Sequence, residues 1–342
     1  MYNFFTVILL MVGFIFSYSN HIQVLSKKDN TTKLKYISNN LSVDIIDGKR
    51  HIVDSSDEIL DIRHLPSQST FFQIESNEDI SVTYVVNDSY FDYGLNISSE
   101  IENNSSNSFY PENNLVVSEP MIFRGVIVKQ ITFYPYRINL NTGQIEIYND
   151  VDFVVEQFGI NHNRNYTNVK LSKLFEPLYE SMISNYEPSS REEDYQTPAV
   201  LYICGGSSLD NPYVQDLIDW RHKTGFIVYT ATTSETGSST SSIKNYIENL
   251  YENSSNPPEI VGLIGDTGGS YAIDHFTESW SGYSGPGDFP YSQLDGNDLF
   301  PEVFIGRISV NSSSDLANVI NKTLVYEKAT YLNQIGDDWY ER

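Results

Sequence analysis

Cys204 is the only cysteine in 342 residues, and six histidines accompany it. A thiolate attacks carbonyls only when it is accessible and when an imidazole handles the proton. Cys204 ends the run AVLYIC (199–204), with apolar neighbours on both sides, a setting in which a thiol behaves as a small hydrophobe of raised pKa. This predicts a structural cysteine, and with no second cysteine no intramolecular disulfide forms. His275 lies in a long polar stretch, as base, ligand or surface residue. His222 falls near a predicted helix end, where a cationic imidazole suits the macrodipole. Hard oxygen ligands are a further resource. Asp288, Asp295 and Asp298, with Gly296 permitting a sharp turn, could hold calcium, although a full calcium-loop spacing is lacking and a solvated turn is the plain alternative. Asp266 can orient loop backbone, hold an ion or cap a helix, and Arg307 can clamp a carboxylate or make a structural ion pair.

The elements that position these residues begin after Thr197. The run 199–204 ends in Gly205-Gly206 and reads as a strand buried on both faces. Asn211 caps a helix with Pro212 at its first position, Val214, Leu217 and Ile218 form its buried stripe, and Gly225 closes it. Residues 226–230 give a second strand, and Ile243, Tyr246, Ile247, Leu250 and Tyr251 keep helical spacing. Pro257-Pro258 stops that helix before a third strand at 260–264, a fourth at 303–305, and a helix bearing Leu316, Val319, Ile320 and Leu324. Alternating strands and helices predict a parallel sheet covered on both faces. Function in such sheets gathers at the carboxyl ends of the strands, here Gly205-Gly206, Thr230, Gly265-Asp266 and Gly306-Arg307. Residues 267–301 read as one long loop on that edge, of a length that tends to line a binding site.

The front half has a different grammar. Residues 80–86, 125–133 and 150–156 alternate with period two and are rich in Val, Ile, Tyr and Phe, as strands are. Asn141-Thr142-Gly143 joins 136–140 to 144–148 as a hairpin. An all-β, sandwich-like domain over 20–160 is predicted. Residues 170–184 place Leu171, Leu174, Phe175, Leu178 and Met182 at helical spacing, and the polar, proline-marked 187–194 reads as a linker, so that 161–196 connects the domains. Residues 4–16 are almost continuously apolar and are followed by SYS, which predicts a signal peptide over 1–19 and a protein that is secreted or displayed at the cell surface, a retained membrane anchor being the alternative. No later stretch is apolar enough to span a bilayer, so no membrane contact is expected after signal cleavage. The formal charge of −24 argues against nucleic acid and anionic membranes as partners, since both select basic surfaces.

Several motifs together resemble a known family: WRHKTG (220–225) before a strand, the strand ending Gly265-Asp266, DFPY (288–291), LDGND (294–298), PEVFIGR (301–307), and a helix ending YEK (326–328). Their order resembles the first half of the catalytic domain of gingipain-type (C25) cysteine peptidases. YPYRINLNTG (134–143) leading into IEIY (145–148) is similar to the propeptide region of such proteins. The resemblance implies a caspase-like α/β fold over 197–342, incomplete at its C-terminus, and endopeptidase activity on protein or peptide substrates through a His/Cys dyad without a required cofactor, calcium being an optional ligand. The family's dyad follows the Tyr-Glu helix, so it is expected beyond Arg342, with no catalytic residue in this chain and this stretch inactive alone. The resemblance also places Asp288 where arginine-directed relatives use an acidic residue for the basic side chain, although Gly287 stands where the family commonly has Ser.

Other classes of function are compatible with the residues. A secreted adhesion module or a pseudopeptidase would use the β-rich domain and the acidic loop, with calcium at Asp295 and Asp298. A carbohydrate-active protein would use Tyr271, Trp280 and Tyr283.

Overall fold

The computed structural model describes residues 22–37, 41–54, 59–60, 65–95, 109–161, 163–280 and 282–328. The expected signal segment, 1–19, lies outside the described residues.

The front half is all β, as its period-two patterning predicts. Its strands are β1 Ile22–Lys28, β2 Thr31–Ile37, β3 Ser42–Ile46, β4 Lys49–Val53, β5 Gln68–Ile74, β6 Glu78–Asp92, β7 Phe109–Tyr110, β8 Leu115–Val117, β9 Met121–Phe123, β10 Val126–Phe133, β11 Tyr136–Asn139 and β12 Gln144–Gly159. One sheet runs β1-β2-β12-β11-β7, with β6 paired along the other edge of β12. A second sheet runs β5-β10-β8, with β9 also on β10. Leu34, Tyr36, Val151, Phe153 and Val155 of the first sheet meet Phe72, Ile74, Ile127, Ile131 and Phe133 of the second in one core. Each set occupies alternate positions, so a sandwich follows directly from the pleat. The β11–β12 turn closes because the Asn139 side chain accepts the amides of Asn141 and Thr142 at 3.0 and 3.2 Å, while Gly143 takes φ +66°.

The rear half is a parallel sheet of order β14-β13-β15-β18, formed by β13 Ala199–Cys204, β14 Ile227–Thr232, β15 Ile260–Ile264 and β18 Phe304–Ile308. Every residue of β13 is buried. Leu201 and Ile203 face helix α4 (Thr240–Asn253) through Ile243, Ile247 and Tyr251. Val200, Tyr202 and Cys204 face the opposite way, onto α2 (Pro212–Lys223) and α5 (Ser313–Lys328) through Val214, Leu217, Leu316 and Ile320. Asn211 caps α2 by accepting the Tyr213 amide at 3.0 Å, and Gly225 follows at φ +93°. A one-turn helix α3, Thr233–Thr236, carries a capping box between Thr232 and Glu235.

Two segments depart from the sequence expectation. The helical spacing over 170–184 yields only α1, Glu176–Met182, with a proline in its first turn; Leu171 instead forms a β-bridge with Tyr195. Ahead of α1 the chain makes only a turn, in which the Phe175 and Glu176 amides donate to the Ser172 carbonyl at 3.2 and 3.1 Å. The long loop 267–301 is not structureless: it contains the hairpin β16 Phe276–Trp280 and β17 Tyr283–Gly287, then a 3-10 turn at Phe289–Ser292.

The halves share a core. Phe123, Val126 and Val128 of the sandwich pack with Phe175, Tyr179 and Ile183 of the connecting segment and with Phe300 of the rear half. Phe123 stacks on Phe300 at 4.6 Å between centroids, and Phe175 lies 4.3 Å from Phe304. The connecting segment is also hydrogen-bonded to its neighbours. Asn185 exchanges two hydrogen bonds with the Gln73 backbone, at 2.7 and 3.0 Å, and Ile183 bridges Phe71.

Candidate functional site

The carboxyl edge of the parallel sheet is built from backbone that only glycine allows. A Cβ on Gly205 would lie 2.1 Å from the Tyr271 carbonyl oxygen, and one on Gly265 would lie 1.9 Å from the same atom. The chain after β15 therefore folds directly over the ends of β13 and β15. Asp266 braces that fold. One carboxylate oxygen accepts the Ser309 hydroxyl and the Thr267 amide, both at 2.8 Å, and the other accepts Asn311 Nδ2 at 3.0 Å. The Ser309 hydroxyl, then the Thr267 amide and Asn311, hold its carboxyl below the ordinary range.

Arg307 and Asp288, singled out separately, are brought together. Arg307 Nε and Nη2 donate to the two Asp288 oxygens at 2.8 and 2.7 Å. The same guanidinium donates to the carbonyls of Gly265 (3.3 Å), Ile273 (2.9 Å) and Asp274 (3.1 Å). A planar fork suits such convergence. Asp288 thus already holds an arginine of this chain, and the pair ties the β16–β17 hairpin to β18.

The thiol and the imidazoles remain apart in role. Cys204 is 0% exposed, and burial pushes its thiol up to about 12. His275 is partly exposed beside Asp274, its Nδ1 4.0 Å from the Asp274 carboxylate. His222 is exposed in the last turn of α2. Of the aromatics, Tyr283 is exposed and Tyr271 half-buried.

Asp295 and Asp298 stand at the other edge, where the strands begin. Asp298 accepts the Ile122 amide of the sandwich at 2.6 Å and the Phe300 amide at 2.8 Å. Asp295 accepts the Thr167 amide at 2.7 Å and the Gly296 amide at 2.8 Å. Gly296 and Asn297 take φ +81° and +51°, which shapes the turn for both contacts. The acidic turn is a docking bracket for the front half. Among the described residues no group of three or more His, Cys, Asp or Glu side chains is arranged to hold a metal ion.

Sequence reasoning missed the residues at the centre of this bracket. Arg124, at φ +42° in the β9–β10 turn with Gly125 at +75°, is 1% exposed. Its Nη1 donates to the carbonyls of Pro258 (3.0 Å) and Glu302, and its Nη2 to Gln196 Oε1 (3.2 Å) and the Pro257 carbonyl (3.3 Å). Phe175 and Tyr251 lie 5.1 and 5.5 Å from its charge centre. Glu302 is 0% exposed; its Oε2 accepts the Leu294 and Asp295 amides at 2.6 and 3.1 Å. Burial pushes its carboxyl up to about 8. Glu259, also buried, accepts the Ala199 amide at 3.1 Å and the Ser172 hydroxyl, and burial raises its carboxyl against the pull of Arg124. The available signal was charge inside apolar runs: Arg124 in MIFRGVIV, and Glu302 between Phe300 and Val303.

A β-sandwich locked by a buried arginine onto the starting edge of a parallel α/β sheet, whose finishing edge carries a braced loop, defines a two-domain protein with a docked front domain. Propeptide_C25 matches residues 23–192, and Peptidase family C25 matches residues 193–342. Gingipain R1 of Porphyromonas gingivalis is 28% identical over 229 residues, covering 66% of this chain and 22% of that protein. Gingipain R2 of Porphyromonas gingivalis is 26% identical over 274 residues, covering 78% of this chain and 34% of that protein. The solved complex of Porphyromonas gingivalis RgpB pro- and mature domains covers 49% of this chain and 100% of its own, with TM-score 0.37 and 19% identity. The chain belongs to the gingipain-type peptidase family C25, joining its propeptide to the start of its catalytic domain. It spans about a fifth to a third of the length of these curated relatives.

Proposed function

We propose that this chain is the front of an exported cysteine endopeptidase acting on protein substrates. The β-rich half is its propeptide and the parallel sheet is the first portion of its catalytic domain. The observation that carries this reading is the order of the two family matches, propeptide then peptidase, across 23–342. The reactive thiol and imidazole are then supplied by polypeptide following α5. Two features support that assignment. Cys204 is sealed in the core with a thiol that stays protonated at neutral pH, and the carboxyl-edge groups Asp266, Asp288 and Arg307 are engaged in bracing the loop. Export through the apolar segment 4–16 belongs to the same reading; among the described residues no helix is long and apolar enough to cross a membrane.

The test compares the chain with the longer protein encoded by its reading frame, using a thiol-directed active-site probe and a peptide library. The expected result is labelling and turnover in the longer protein and neither in residues 1–342. Turnover by the chain alone that disappears in Cys204→Ser would overturn the assignment. Silence of the longer protein towards the probe would favour a non-catalytic adhesion module or a pseudopeptidase.

A further inference from the structure

We infer that Glu302 makes the grip of the β-rich domain on the α/β domain proton-dependent, carrying a proton while the Arg124-Gly125 turn is seated and losing it when that turn leaves. The inference rests on the observed docking of the two halves and is independent of peptidase activity.

Glu302 sits beneath the docking bracket. The residues around it, 294–302, are covered by the sandwich and the connecting segment: Ile122 and, from the connecting segment, Thr167 through their amides, Phe123 through its ring, and Arg124 through the Glu302 carbonyl itself. The guanidinium is directed at that carbonyl, whereas the carboxylate makes no ion pair among the described residues. Glu302 Oε1 is buried without a hydrogen-bond partner, as are Arg124 Nε and the Tyr251 hydroxyl. A buried carboxylate with one bare oxygen is costly, and a buried carboxylic acid much less so.

The other charged or titratable groups at this joint do not relieve it. Asp295 and Asp298, on the same turn, add negative charge and favour the protonated form. Tyr251 from α4 and Tyr179 from α1 are neutral phenols whose ionisation burial pushes up. Arg124, from the β9–β10 turn, acts on Glu259, whose carboxyl nevertheless remains raised. Burial likewise raises Asp298. Each shifted acid works in the same direction, and Glu302 is the one with an unmet oxygen.

Undocking withdraws the sandwich groups and lets water reach the side chain, whose carboxyl then returns to the ordinary glutamate value of about 4.3. The docked state therefore holds more protons than the undocked one between that value and about 8. Docking is strongest in mild acid and weakens as pH rises, by roughly tenfold per pH unit for one linked proton, levelling off above the docked value.

The test is amide hydrogen exchange on the whole chain between pH 6 and 8, corrected for the intrinsic pH dependence of exchange. The opening constant is read at the amides of Ile122 and Thr167, with β13 amides as internal reference. The native protein is expected to open about tenfold more readily per pH unit at the two interface amides. In Glu302→Gln, which keeps an acceptor for the Leu294 and Asp295 amides, the slope is expected to fall by one proton. A flat native profile overturns the proposal however the variant folds, and so does an unchanged slope in Glu302→Gln. Neither result bears on whether the longer protein is a peptidase.

Discussion

Replacing Arg124 by alanine is the most informative single perturbation. The side chain is buried, donates to three carbonyls of the α/β half and to Gln196 Oε1 at the end of the connecting segment, and lies near two aromatic rings. Truncation leaves three carbonyls and the Gln196 amide oxygen without their donor and removes the cation that offsets buried Glu259. Removing one side of a buried charged network costs about 3–5 kcal/mol, with the flanking rings accounting for roughly 0.5–2 kcal/mol of that. A domain of this size shifts its melting temperature by ~2–4 °C per kcal/mol, so Arg124→Ala is expected to lower the melting of the coupled halves by on the order of 10 °C. Arg124→Lys keeps charge but cannot fork to opposed acceptors, and about half the loss is expected to remain, ~2 kcal/mol. Calorimetry and urea titration of the whole chain measure both. A loss below about 1 kcal/mol in Arg124→Ala, the scale of an exposed ion pair, would refute the argument that this turn anchors the two halves.

Three further outcomes are expected. Arg307→Met frees Asp288 and three loop carbonyls, at a cost of about 2–3 kcal/mol, and limited proteolysis should then cut first within 274–290; additivity with Asp288→Asn in a double-mutant cycle would contradict the pairing. Cys204 should react with a thiol reagent at pH 8 only as the chain unfolds globally, and Cys204→Ala should cost about 1 kcal/mol; rapid labelling of the folded protein would contradict its burial. Asp266, with its depressed carboxyl, holds its bracket above the ordinary carboxylate range and loses it as pH falls through the folded-state value, so nuclear magnetic resonance should find it titrating below about pH 4. A midpoint above that range would show that Ser309 and Asn311 do not hold it.

Much of the scaffold was legible because it is written in local rules. The β13 run, the Asn211-Pro212 start of α2 and the α4 stripe each follow from burial period and capping, and all are present as read. The sandwich was legible as strands, since alternation reports the buried face, but not as a pairing order, because β12 joins strands far apart in sequence. The site was harder. Asp288 and Arg307 were each visible as chemistry, yet Asp288 follows the β16–β17 hairpin, whose five-residue strands are too short for a clear period and whose second strand, YSGPG, holds two glycines and a proline. Asp295 and Asp298 looked like cation ligands because hard oxygens near a glycine turn suit calcium and backbone amides alike. Arg124 was passed over because a single charge in an apolar strand run reads as a turn, and only tertiary structure supplies four acceptors.

The segment between the halves is stitched rather than slung. Ile183 and Asn185 fasten one end to the sandwich strand β5, and at the other the Leu171 amide donates to the Asp194 carbonyl while the Gln196 amide donates to the Leu171 carbonyl. Its length therefore works as a ruler whose marks are side chains. Residues inserted near 172 or 184 would slide one fastening off its partner, whereas the exposed 190–193 can lengthen with neither fastening disturbed. Severing the chain there would leave every one of those fastenings in place.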